Sequence, residues 1–189
     1  MGVVISSLFL LLSLLIVPAL VITTINGINK RANEAKQSSA AYNQGLGNVY
    51  TEKSGAYSLN LPKGWQTHEE ARLNATIFRP GSDEDVSEAQ VLVDKTPQNE
   101  TLAGIVTKEL ADAKSEKTVI KSEKNIKIKD VKAHETVATI EGSDSSFEIY
   151  SVVLIKGGST YHVTYVTSPD KINEYLPVFK AADQTFLIK

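Results

Sequence analysis

Two histidine–carboxylate groups and one run of lysines have the residue types that metal or anion chemistry needs. His68, Glu69 and Glu70 stand together in "HEE", and His134 is followed by Glu135. Imidazole with carboxylate suits zinc or manganese if folding brings the groups together, which makes His68, Glu69, Glu70 and His134 the candidate metal ligands. Neighbours in a strand point to opposite faces, and neither group has the i, i+4 spacing that puts two ligands on one helix face. Solvated polar residues are the plainer reading. His162, between Thr160 and Thr164, reads as a hydrogen-bonded sheet residue. The acidic loop with Asp83, Glu84, Asp85 and Glu88 offers oxygen ligands for calcium. It lacks the alternation and central glycine of a helix-loop-helix calcium site, and a solvated loop fits it better.

Seven lysines fall between Lys114 and Lys132, against Glu116, Glu123 and Asp130. Lys121, Lys124, Lys127 and Lys129 are the candidate partner-binding residues of this run, since a basic edge steers and orients an acidic partner. The competing reading, slightly favoured, is that the lysines shield an edge strand such as "NIKIKD" from unwanted pairing. Nucleic acid is not expected: no aromatic residue lies between Phe78 and Phe147, and no arginine interleaves the lysines. The net charge of -2 gives no global attraction to polyanions. No nucleophile elbow, phosphate loop or paired-carboxylate signature is present, so the chain is read as non-enzymatic, with no cofactor and no catalytic residue. The absence of cysteine removes disulfides, thiolate chemistry and cysteine zinc sites.

The elements that position these residues divide into three regions. Residues 1–29 hold an uncharged stretch from Gly2 to Asn29, mostly Leu, Ile and Val over 3–25. At a rise of about 1.5 Å per residue it is long enough to cross a hydrocarbon core of roughly 30 Å. A single-pass transmembrane anchor is the expectation, with Pro18 tolerated. A cleaved secretory signal is the alternative, with "VPA" at 17–19 ahead of a cut. Lys30, Arg31 and Lys36 follow the apolar run and, by the positive-inside rule, favour a cytoplasmic domain. Residues 30–50, rich in Ala, Asn, Gln and Ser, read as a stalk, and 51–189 as one domain.

Within that domain Tyr57, Leu59 and Leu61 alternate with polar residues as a strand does, and Pro62-Lys63-Gly64 ends it before Trp65, which should enter the core. "ATIFRP" and "EAQVLVDKT" are two further strands. Leu102, Ile105, Val106, Leu110 and Ala113 share one helical face. Residues 118–142 read as strand, turn and strand. Phe147–Lys156 and Thr160–Thr167 form a hairpin around "GGS". Ser168-Pro169-Asp170 is a helix start with a serine cap, and Pro177 is expected to kink or split the helix that follows. "QTFLIK" returns as a short strand. Strands in sequence with few helices imply an α+β fold with an antiparallel sheet carrying helices on both faces.

The strand running into "LPKGW", together with the closing "SPDKINEYLPVFKAADQTFLI", resembles the PsbP-like family of photosystem extrinsic proteins and their non-photosynthetic relatives, over roughly residues 50–189. The resemblance implies an α-β-α sandwich around an antiparallel sheet, with Trp65 as a core plug. It also implies a non-enzymatic, membrane-anchored accessory or assembly domain on the extracytoplasmic side, binding a partner protein or membrane complex. The alternative function is an extracytoplasmic small-ligand or metal-binding protein.

Overall fold

The computed structural model describes residues 45–70, 75–80, 89–115, 118–141 and 146–189. The apolar segment and the acidic loop lie outside them. Among the described residues no helix is long and apolar enough to cross a membrane.

Ten strands and two helices make up the described chain. A small sheet contains β1 (Leu46–Thr51), β2 (Tyr57–Pro62) and β10 (Leu187–Ile188), in the order β1-β2-β10. A seven-stranded sheet contains β3 (Trp65–Glu70), β4 (Ala75–Pro80), β5 (Ala89–Pro97), β6 (Thr118–Ile128), β7 (Val131–Glu141), β8 (Ser146–Lys156) and β9 (Ser159–Thr167), in the order β3-β4-β5-β9-β8-β7-β6. All pairs are antiparallel. The helices are α1 (Leu102–Ser115) and α2 (Ile172–Asp183). The first strand thus begins at Leu46, inside the segment read as a stalk.

Pro62-Lys63-Gly64 is the corner between the two sheets. Pro62 ends β2, and Gly64 takes φ 85°, a region where a Cβ is strained, so that the chain enters the large sheet at Trp65. Gly157 and Gly158, both at positive φ, make the two-residue turn of the β8–β9 hairpin.

The core is aromatic and lies on one face of the large sheet. There Tyr161, Val163 and Tyr165 of β9 and Tyr150, Val152 and Leu154 of β8 meet Tyr57, Leu59 and Leu61 of β2 and Tyr175 and Phe179 of α2. Phe179 stacks on Tyr165 at 4.4 Å and on Tyr175 at 5.5 Å, and Trp65 meets its edge at 6.0 Å. Trp65 is buried, as the core plug requires. The chain end is drawn in by the Asn60 amide donating to Thr185 Oγ1 at 2.7 Å and by β10 pairing with β2.

The expected α-β-α sandwich is corrected by this arrangement. The protein is mostly antiparallel strand, and the layer over the aromatic face is a second sheet together with α2. Two-residue turns join β6 to β7 and β8 to β9, and among the described residues only two helices accompany the ten strands. On the opposite face α1 reaches His162 through Glu109, yet none of Leu102–Lys114 is fully buried. The apolar stripe of α1 is real, and it lies over a face of mixed character, where Thr136, Ser151 and Thr164 alternate with the buried Ala138 and Val153. A small apolar cluster of Ile140, Phe147, Ile149 and Val166 lies on that face.

Two helix expectations also change. Ser168 does not cap α2: its carbonyl accepts from the Lys171 amide at 3.0 Å, closing a turn with Pro169 in its second position, and the helix starts after it. Pro177 neither splits nor ends α2. It stands one turn after Asn173, whose carbonyl it leaves without an intrahelical donor, and both residues are on the exposed side, open to solvent.

At the β6–β7 turn Ile128 pairs with Val131, leaving Lys129-Asp130 as a two-residue loop with Lys129 at φ 53°. Hairpins ordinarily place Gly or Asn there. Lys129→Gly should therefore raise the unfolding free energy of the chain by about 0.5–1 kcal/mol, and Lys129→Val should lower it by about as much. Urea denaturation checks this, and a destabilised Lys129→Gly would refute the strain.

Candidate functional site

The strongest concentration of ionisable groups lies beneath α2, where the inward faces of β7, β8 and β9 carry Glu135, Tyr150 and Tyr165. Inward parity places Glu135 between Ala133 and Val137, both in the core. On α2, Asp183 follows Phe179 by one turn and Tyr175 by two, so it shares their buried face. The Tyr165 hydroxyl donates to Asp183 Oδ1 at 2.6 Å, and the Tyr150 hydroxyl donates to Glu135 Oε2 at 3.3 Å. Glu135 Oε1 accepts from Lys180 Nζ at 3.0 Å and faces Lys124 Nζ at 3.4 Å. Lys180 also lies over the Tyr150 ring, 5.6 Å from its centre.

A second buried acid, Glu148, is 1% exposed at the other end of the same face. Its Oε1 accepts from Thr139 at 2.7 Å and pairs with Lys121. Lys121 is the extra residue of a β-bulge between Ile120 and Ser122, and that irregularity lets it reach inward over the sheet edge.

Burial drives the protonation states here. Asp183 is pushed up to about 7, chiefly by burial and further by the charge of Glu135, against the Tyr165 and Tyr150 hydroxyls and Lys180, which favour its ionised form. Burial and the Asp183 carboxyl push both Tyr150 and Tyr165 upward, so they stay protonated donors. On the other face, burial raises Asp94, with His162 opposing.

The predicted site residues separate. His68, Glu69 and Glu70 lie on β3 at one edge of the large sheet, and His134 lies on β7 with four strands between. At about 4.8 Å per strand they are roughly 24 Å apart, so the sheet does not bring them together. His134 is buried, with Nδ1 3.1 Å from Asn125 Oδ1 and Nε2 3.4 Å from Glu123. His162 Nε2 lies 2.8 Å from Glu109, consistent with a hydrogen-bonded sheet residue. Among the described residues no three metal-ligating side chains converge. The lysines fall on β6, an edge strand, and divide: Lys121 and Lys124 clamp Glu148 and Glu135, while Lys127 and Lys129 approach the hairpin tip.

The acid–tyrosine cluster was not anticipated from sequence. Its signal was an acid at inward parity in "AHETV" and another on the apolar stripe of α2. Chemically the cluster holds protons and ties α2 to the sheet. All its tyrosines are donors in place, and its lysines are bound to Glu135.

The sign of its pH dependence follows from Asp183. An unfolded aspartate ionises near 3.8, whereas the folded one keeps its proton to about 7. Its contribution to stability is complete below about pH 4 and lost as pH rises through about 7. Asp183→Asn should leave the melting temperature nearly unchanged at pH 3.5 and raise it relative to wild type at pH 8. Thermal melts across this range decide it; an equal loss at both pH values would refute a protonated Asp183.

No family model matches the chain, and no curated protein matches it in sequence. Solved structures share its fold at low identity. Cyanobacterial PsbP from Synechocystis is 12% identical with a TM-score of 0.58, over 77% of this chain and 93% of that one. A protein of unknown function from Pseudomonas aeruginosa is 18% identical with a TM-score of 0.55, over 75% and 96%. LpqN of Mycobacterium tuberculosis, involved in cell envelope biogenesis, is 10% identical with a TM-score of 0.57, over 75% and 90%. At these identities the likeness is one of fold alone.

Proposed function

We propose that this chain is a membrane-anchored, non-catalytic accessory domain, on the extracytoplasmic side, that presents the β6 edge of its larger sheet to a protein of a membrane complex. The observation that carries this reading is the edge itself. β6 runs over eleven residues with an unpaired side among the described residues, and Val119 on it is 52% exposed. Lys121 and Lys124 are held across its inward side by buried acids, so the edge is stiffened and its charges are fixed in place.

Three further features support it. Residues 3–25 have the length and composition of a membrane span. The fold is shared with a cyanobacterial PsbP and with an envelope-biogenesis protein, and the resemblance to the PsbP-like family implies accessory work outside the membrane. The buried acids are engaged with tyrosines and lysines that hold α2 to the sheet, an arrangement suited to stability.

Photo-crosslinking tests the edge. A benzoylphenylalanine placed at Val119 in the full chain should give a discrete protein adduct in native membranes. The same probe at Val49, 61% exposed on the small sheet, should give several-fold less. Equal adducts at both positions, or none at Val119, would overturn this reading.

A further inference from the structure

The tip of the β6–β7 hairpin concentrates positive charge at some local expense. Lys127 stands directly opposite Lys132, and Lys129 heads the loop between them at φ 53°. Like charges facing across a strand pair repel, and a lysine at positive φ is strained. Neither feature is needed to turn the chain, because Gly or Asn at 129 and a neutral residue at 127 or 132 serve the hairpin better. None of the three lysines forms an ion pair among the described residues, in contrast to Lys121 and Lys124. Local strain kept at an exposed site points to use of the group that causes it.

The chemistry of the tip selects its ligand. Its apolar residues are turned away: Ile128 is 1% exposed and Val131 half-buried, so nothing is available to insert into a hydrocarbon layer or an apolar groove. From Lys127 to Lys132 there is no arginine to supply a fork for bidentate recognition. Compact, hydrated point charges on flexible stems suit a diffuse anionic surface better than a shaped acidic site. We propose that Lys127, Lys129 and Lys132 seat the hairpin tip on the anionic head groups of the bilayer that anchors the chain. This rests on the membrane-anchored reading given above.

Magnitudes make the tether essential. Each lysine near an anionic surface strengthens binding by about fivefold, and with Asp130 in the same loop the tip carries a net charge of two, giving roughly thirtyfold, which is weak for a free domain. A tether supplies the bilayer at high effective concentration and turns that factor into a preferred orientation. Residues 26–44 span up to about 60 Å when extended, more than the diameter of a domain of this size, so the tip reaches the surface wherever β1 begins. With the tip at head-group depth, the β6 edge stands beside the bilayer, where a membrane complex would meet it.

Lysine footprinting tests this on the full chain. The chain is reconstituted into vesicles of phosphatidylcholine, alone or mixed with phosphatidylglycerol, recovered by flotation, acetylated, and read by mass spectrometry at each lysine. Lys127, Lys129 and Lys132 should lose reactivity several-fold in the anionic vesicles relative to the neutral ones, and regain it in high salt. Equal reactivity in both vesicles, on chain that floats, overturns the lipid proposal and leaves the anchor standing. Chain that fails to float in either mixture overturns the anchored reading and this inference with it. Protection by soluble polyglutamate but not by anionic vesicles would replace lipid with an acidic protein as the ligand of the tip.

Discussion

Burying two carboxyl groups between α2 and the larger sheet is the constraint that organises this domain. A buried charge without a partner costs several kcal/mol, so Glu135 and Asp183 must each be answered by donors from other elements. Glu135, on β7, draws Tyr150 from β8, Lys180 from α2 and Lys124 from β6. Asp183, on α2, takes Tyr165 from β9 and resolves the remaining conflict with Glu135 by holding its proton up to about 7. Five elements are thereby fixed relative to one another by directional bonds, while the stacked rings of Tyr165, Phe179 and Tyr175 supply the burial that keeps water out. The two contributions depend on each other, since stacking without the bonds would leave acids unanswered and the bonds in water would be worth little.

The same constraint explains the edge. Lys121 and Lys124 look like part of one basic run in the sequence, but the fold assigns them inward, to Glu148 and Glu135. Lys127, Lys129 and Lys132 continue past the last buried acid and gather at the hairpin tip. A single stretch of chain therefore carries internal ties at one end and surface charge at the other. On the proposed reading the ties stiffen the strand that meets a protein, and the tip sets how the domain sits on the bilayer.

Much of the element order was legible. The sheet corner at Pro62-Lys63-Gly64, the buried Trp65, the glycine turn at 157–158 and the return of the chain at Leu187 follow from local rules about φ, donors and alternation. The layer order was not legible, because the stripe of α1 has the period of a packed helix although none of Leu102–Lys114 is fully buried. Whether Ser168 caps the helix is likewise decided by its neighbours, here a turn with Pro169 in its second position, and Pro177 lies inside α2 without splitting it. His68, Glu69 and Glu70 are separated from His134 by four strands of the larger sheet, an order that sequence adjacency does not encode. The acid–tyrosine cluster was within reach, since "AHETV" puts Glu135 at the parity of Ala133 and Val137, and Asp183 falls on the stripe of Tyr175 and Phe179.

The central claim is that the interior acids serve stability and that contact with the surroundings is made through β6 and its hairpin. Hydrogen exchange of the full chain in native membranes, compared with the same chain purified in detergent, tests it most directly. Added protection is expected only at amides of β6 and the turn to β7, with those of β8, β9 and α2 exchanging alike in both states. Added protection over Tyr150, Tyr165 and Asp183, with none along β6, would contradict it.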